Sequence, residues 1–153
     1  KNTPYCFCDG IQVCHVCCAY LFCSEMISIA YQTSRRLGYE THDKGTYICI
    51  EGPRFSTRAE SRYYRDVIHG DIIGMTLIPE CILALEQQLC YLSIATVTDY
   101  DVWSEPAVTS SQIIDVLSKN TEKISKLVLA LLGEIPKNRK KCLCYKSLEN
   151  ALV

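Results

Sequence analysis

The sequence predicts an α/β domain with mostly parallel or mixed strand connections, and three observations carry that prediction. Short runs rich in β-branched and aromatic residues, at 46–50, 71–74 and 89–97, are separated by stretches whose apolar residues recur at helical spacing. The run 89–97 is apolar on both faces, as in a central strand covered by helices on both sides. The 153 residues, 48% hydrophobic and 22% charged, suffice for one such domain or for part of a larger one.

Taken in order, residues 1–23 hold Asp9-Gly10 and a Cys-rich apolar run without clear period, and read as extended or looped. Ser24 is the expected N-cap of a helix with Met26, Ile27, Ile29, Ala30, Thr33 and Leu37 on one face, which Gly38 ends. Thr46-Tyr47-Ile48-Cys49-Ile50 suits a pleated, buried strand, and Glu51-Gly52-Pro53 stops it. Ser56 and Thr57 cap a second helix over 58–68, and Asp71-Ile72-Ile73-Gly74 is a short strand. Pro79, fitted to a first helical turn, opens a helix over 80–88, and 89–97 follows as the strongest strand signal. Residues 110–132 form a long amphipathic helix, with Ile113, Ile114, Leu117, Ile124, Leu127, Val128, Leu131 and Leu132 near helical spacing. After Pro136 a basic tail, 137–153, carries Cys142-Leu143-Cys144, so the organisation is a body of residues 1–136 followed by that tail.

Sixteen Lys and Arg against 17 Asp and Glu give a net charge of -1, with no dominant basic tract, so nucleic acid is not an expected partner. The longest stretch free of Asp, Glu, Lys and Arg, from Gly10 to Ser24, falls short of the ~20 apolar residues of a membrane helix. No membrane association is expected, and the expected location is the cytoplasm. The chain opens at Lys1 without a basic leader and cleavage pattern, and its start reads as a cut with residues expected upstream.

Eleven cysteines are the compositional oddity, with Cys6, Cys8, Cys14, Cys17, Cys18 and Cys23 clustered near the start. Three readings are open: a metal or iron–sulfur site, disulfides in an oxidising compartment, and disulfides in a cytosolic hyperthermophile protein. Cys14-x-x-Cys17 has the spacing of half a zinc site, but no second such pair follows and Cys142-x-Cys144 is on a different pattern.

Ligands of parallel sheets bind beyond the carboxyl ends of the strands, which selects the loops after residues 50, 74 and 97. Thr98-Asp99-Tyr100-Asp101 places two carboxylates on one side of an extended chain, suited to a group rich in N–H donors; an Asp turn is the competing structural reading. Glu51-Gly52-Pro53-Arg54-Phe55-Ser56-Thr57 offers an aromatic face for a planar ligand and a helix start for an anion, or simply a capped turn. Gly74-Met75-Thr76 ends a strand with a thioether and a hydroxyl, and Met75 alone reads as core. Gly-rich dinucleotide, P-loop, Gly-x-Ser-x-Gly and His-Glu-x-x-His patterns are absent from the sequence.

Read together, the run from Ile50 through Phe55 and Ser56 to Ser61, Ile73-Gly74-Met75-Thr76 with Pro79-Glu80, and Thr98-Asp99-Tyr100-Asp101-Val102-Trp103 resemble the 5'-methylthioadenosine phosphorylases of the purine nucleoside phosphorylase family, particularly the archaeal ones. The resemblance also takes in Asp9-Gly10, Val13-Cys14-His15-Val16, Phe22-Cys23 and the Cys-x-Cys tail of some thermophilic members. It implies the C-terminal half of a three-layer α/β/α phosphorylase domain over residues 1–136. The implied reaction is phosphorolysis of methylthioadenosine to adenine and 5-methylthioribose 1-phosphate, with inorganic phosphate as co-substrate and neither metal nor organic cofactor. Partners would be an adenosine-type nucleoside and phosphate, and the complete protein a homo-oligomer, trimer or hexamer.

By the same resemblance Asp99 protonates or hydrogen-bonds N7 of the departing purine, and Asp101 accepts from its 6-amino group, which favours adenine over 6-oxopurines. Phe55 and Ser56 match the base-pocket wall, Met75 a ribose contact and Thr76 a phosphate contact. His15 matches a residue reaching a neighbouring subunit's pocket, and Ile113 and Ile114 align loosely with the thiomethyl pocket. The cysteines would be structural. The family's Gly-rich first strand, Arg-His pair and Thr-Ala turn, which supply most of the phosphate site, have no match here, so weak activity at best is expected of this chain alone. The alternatives are an inactive fragment, or a Cys-rich metal-binding or redox module on a phosphorylase-like scaffold.

Overall fold

The computed structural model describes residues 6–8, 13–103, 110–138 and 141–151. Asp9-Gly10 of the resemblance and residues 104–105 of the third loop lie outside them. The elements run α1 (Ser24–Arg36), β1 (Tyr47–Cys49), α2 (Arg58–Asp66), β2 (Ile72–Gly74), α3 (Glu80–Glu86) and α4 (Ser110–Glu134), with 3-10 turns at Asp101–Trp103 and Cys144–Lys146.

The architecture is α/β. β1 and β2 pair in parallel, Tyr47 against Ile72, Ile48 against Ile73 and Cys49 against Gly74, with α2 as the crossover. The Ile50 N–H continues the ladder by donating to the Gly74 carbonyl at 2.9 Å. Glycine is required at position 74 because the Tyr47 phenol occupies the space a Cβ would fill.

α1 begins one residue earlier than a Ser24 cap would set it: Ser24 is its first residue, its N-cap is Cys23 and no side chain caps it, so the expected Ser24 cap is not made. Its end is as the sequence reads: Gly38 takes φ 79° and donates to the Arg35 carbonyl, while the Tyr39 N–H reaches the Ser34 carbonyl at 3.1 Å. α1 packs on α4 through Ala30, Leu127 and Leu131, with Ile29, Leu92 and Ile124 around them. Arg36 and Glu134 close the far end of that pair at 2.7 Å. The α4 stripe is only partly used among the described residues, since Ile114 is 61% and Leu132 67% exposed.

α2 is shorter than expected, and Thr57 is its cap. Pro79 is the N-cap of α3 rather than a residue of its first turn, and α3 stops at Glu86.

The segment 89–97 is a correction: it is not a strand among the described elements. An apolar run records burial, whereas a strand also needs neighbours for its N–H and C=O groups. Here the Tyr91 carbonyl accepts from the Cys23 N–H at 2.8 Å and the Val97 carbonyl from the Asn120 side chain at 3.3 Å, and no parallel ladder forms. Leu89 and Val97 are more than half exposed.

Candidate functional site

The loop after β1 turns at Gly52, whose φ of 72° is a left-handed conformation that glycine adopts without steric cost. A Cβ at Gly52 would stand 2.6 Å from the Met75 sulfur, so the loops after β1 and β2 are in close contact through these two residues. An open cleft of about 420 Å³ lies at this end, lined by residues that include Ile50, Gly52, Arg54, Ser56, Glu60 and Tyr64. Ser56 is 7% exposed, and its Oγ is the one buried side-chain oxygen without a hydrogen-bond partner among the described residues. Such a group carries a desolvation cost of ~1–3 kcal/mol that a ligand atom can relieve. A larger cleft, about 520 Å³, lies at the opposite ends of the strands between His42 and Asp71. There Asp71 already accepts from the Thr46 N–H at 2.6 Å, so the Ser56 cleft is the better candidate.

Arg54 is held away from a free anion. Its guanidinium meets Glu60 through two hydrogen bonds, 2.8 and 2.7 Å, and Glu60 also accepts from the Thr57 N–H at 2.8 Å. Thr57 returns the contact, accepting from the Glu60 N–H to complete a capping box. The Arg54 guanidinium, with the Thr57 backbone and hydroxyl, holds the Glu60 carboxyl down at about 2. A carboxylate thus occupies the helix start that the sequence offers to phosphate. Glu60 and Tyr64, one helical turn apart, were not singled out from the sequence, although the Thr57-x-x-Glu60 spacing of a capping box was available.

Of the residues given a site role by the resemblance, Ser56 alone lines this cleft, together with Glu51, Gly52 and Arg54 of the loop the sequence selected. Phe55 is beside it in the chain and 57% exposed. Met75 is half-buried against Gly52, and Thr76 is exposed. The Asp101–Trp103 turn packs against α2, which brings the third loop to the same side of the molecule as the second helix. Asp99 has both oxygens engaged: Oδ1 accepts from the Asp101 N–H at 2.8 Å and Oδ2 from the Thr98 hydroxyl at 2.6 Å. This is the Asp turn that the sequence left open. Asp101 takes φ 56°, so the extended geometry behind the alternation argument ends before it. His15 is exposed, with its backbone N–H on the Ala151 carbonyl at 2.8 Å, and Ile113 and Ile114 lie in the first turns of α4. These three do not border the cleft.

Among the cysteines, Cys8 and Cys14 form a disulfide, which removes Cys14 from the Cys14-x-x-Cys17 half-site. Cys17 and Cys18 are exposed free thiols. Cys23, Cys90, Cys142 and Cys144 instead converge, their four sulfurs all within 4.8 Å of one another. Burial pushes the Cys90 and Cys144 thiols up. Burial also acts to raise Cys142, but the Cys144 N–H and the Cys90 and Cys23 sulfhydryls outweigh it, and the net shift is downward.

Two parallel strands, with a cleft beside the loop after β1 and a buried hydroxyl without a partner in it, make this end of the strands the candidate small-molecule site. The chain belongs to the phosphorylase superfamily, whose family model matches residues 2–133. It is 52% identical to the S-methyl-5'-thioadenosine phosphorylase of Saccharolobus solfataricus, over the whole of this chain and 57% of that protein. It is 50% identical to the enzyme of that name from Nitrosopumilus maritimus, over 99% of this chain and 57% of that one. A methylthioadenosine phosphorylase from an Antarctic soil metagenomic library superposes with a TM-score of 0.83 at 39% identity, over 95% of this chain and 52% of that one. The Schistosoma mansoni methylthioadenosine phosphorylase in complex with adenine superposes with a TM-score of 0.77 at 29% identity, over 84% of this chain and 51% of that one. The chain therefore spans little more than half the length of these relatives. No described helix is long and apolar enough to cross a membrane.

Proposed function

We propose that the cleft beyond β1 and β2, with the Asp99–Asp101 loop, is the purine side of a nucleoside site. Together with the portion of its relatives that this sequence does not span, it carries phosphorolysis of S-methyl-5'-thioadenosine. The observation that supports this most is the unpartnered, buried Ser56 hydroxyl in a cleft at the carboxyl end of β1. In the reaction, a phosphate oxygen bonds to C1' as the C1'–N9 bond breaks, and the bonding pair passes to the purine. Asp99 protonates or hydrogen-bonds N7, while Asp101 accepts from the 6-amino group and Phe55 stacks on the ring. For Asp99 to do so, Thr98 or Asp101 must release one of its oxygens. Met75 contacts the ribose, Thr76 the phosphate, Ile113 and Ile114 the thiomethyl group, and His15 serves a neighbouring subunit of a trimer or hexamer. The chemistry needs no organic cofactor, and the expected compartment is the cytoplasm.

Ser56→Ala separates this reading from a structural one. Removing an unsatisfied hydroxyl leaves unfolding stability equal or higher, whereas losing a ligand hydrogen bond of ~0.5–1.5 kcal/mol weakens adenine binding by roughly 2–10-fold. Calorimetric titration with adenine and urea unfolding measure the two effects. Unchanged adenine affinity in Ser56→Ala removes Ser56 from the site.

A further inference from the structure

We propose that Arg54 and Glu60 are positioning and specificity-determining residues of the candidate cleft: their ion pair sets the backbone that presents the Ser56 hydroxyl to a purine, and it cancels the charge that would otherwise draw an anion there. The inference rests on the nucleoside reading of this cleft and adds two residues to which that reading gives no role.

The pair brackets Ser56. The Arg54 guanidinium meets the Glu60 carboxylate through two hydrogen bonds, 2.8 and 2.7 Å, and donates to the Phe55 carbonyl at 3.0 Å. Glu60 accepts in turn from the Thr57 N–H at 2.8 Å and the Thr57 hydroxyl at 2.9 Å. The residues before and after Ser56 are thus both fastened to one ion pair, while the Ser56 hydroxyl between them is buried and without a partner among the described residues. A guanidinium fork on a carboxylate fixes direction as well as distance, which the point charge of an ammonium does not. Stability alone does not account for the pair. Its side chains are 65% and 35% exposed, and an ion pair so open to water contributes little to folding.

The charges in the cleft carry the second half of the proposal. Its charged lining residues are Glu51, Arg54 and Glu60, one positive charge against two negative ones. The Glu60 carboxyl, held at about 2 by Arg54 and Thr57, is ionised at neutral pH. Such a lining suits a neutral base with N–H donors and opposes a phosphate. Without the Glu60 charge, the guanidinium and the N–H groups at the start of α2 would be left to an anion together.

The test titrates the whole chain calorimetrically with adenine and, separately, with inorganic phosphate. Arg54→Lys keeps the charge and loses the fork; it is expected to weaken adenine binding by roughly 2–10-fold, the loss expected of the Ser56 hydrogen bond itself, with the urea midpoint unmoved. In a Ser56→Ala background the same change is expected to add nothing, because Arg54 acts through Ser56. Glu60→Gln is expected to acquire phosphate binding that the unaltered chain and the Arg54→Gln/Glu60→Gln double variant lack, a gain that misfolding cannot produce. Equal adenine affinity in the unaltered chain and Arg54→Lys overturns the positioning role and leaves the nucleoside reading standing. An Arg54→Lys effect that persists in Ser56→Ala, or that tracks a fallen urea midpoint, overturns that role as well. No phosphate binding by Glu60→Gln overturns the specificity role. An unaltered chain that binds no adenine removes the nucleoside reading and this inference with it.

Discussion

Gly52→Ala perturbs the contact that joins the two loops of the candidate cleft. Its magnitude has two separable parts. A left-handed φ of 72° costs a residue with a side chain roughly 1–2 kcal/mol. The new Cβ would also stand 2.6 Å from the Met75 sulfur. Displacing that thioether is an overpacking cost of about 1–3 kcal/mol, at the low end because Met is flexible. The sum is about 2–4 kcal/mol, measured by urea unfolding of the purified chain. Repeating the substitution in Met75→Ala removes the second part and leaves the first, so the double-mutant cycle returns a coupling of about 1–2 kcal/mol. Additive effects within ~0.5 kcal/mol, or a neutral Gly52→Ala, refute the contact and with it the joining of the two loops.

Leu127, 4% exposed between α1 and α4, costs about 2–5 kcal/mol when changed to Ala, whereas Leu129 on the same helix, 71% exposed, stays within ~0.5 kcal/mol; unfolding of both variants compares them. Thr57→Ala costs about 1 kcal/mol by opening the capping box. The Glu60 carboxyl is lowered from 4.5 to about 2, so its contribution is complete above pH 4.5 and fades as pH falls towards 2. The stability difference between the unaltered chain and Glu60→Gln is therefore expected to vanish near pH 2. Phosphate alone shifts the melting temperature little, because Glu60 fills the α2 start and Thr76 is exposed; a large phosphate-dependent rise contradicts that reading.

Local signals were legible wherever the physics is local. Gly38 ends α1 through its own left-handed geometry, and Thr57 opens α2 with a partner only three residues away. Both loops now seen at the cleft followed from strand endings alone. What was misread depends on distant chain. Residues 89–97 have the composition of a central strand, but composition cannot supply ladder partners, and the carbonyls of Tyr91 and Val97 found Cys23 and Asn120 instead. Asp99 was legible as an acid in the right place, while its engagement by Thr98 and Asp101 emerged only with the turn that Asp101 makes. The cysteine cluster is hidden for the same reason: Cys23, Cys90 and Cys142 are adjacent in space and far apart in sequence, whereas the paired spacing visible in the sequence is that of Cys14 and Cys17.

Phosphorolysis by the completed protein is tested by joining the remaining N-terminal portion of the Saccharolobus solfataricus enzyme to this chain and following adenine release from S-methyl-5'-thioadenosine with phosphate. An active enzyme is expected, in which Asp99→Asn lowers kcat/KM by roughly 10²–10³-fold, about 3–4 kcal/mol of transition-state stabilisation, with folding unchanged. A folded hybrid that releases no adenine, or an Asp99→Asn variant with unaltered kinetics, contradicts it.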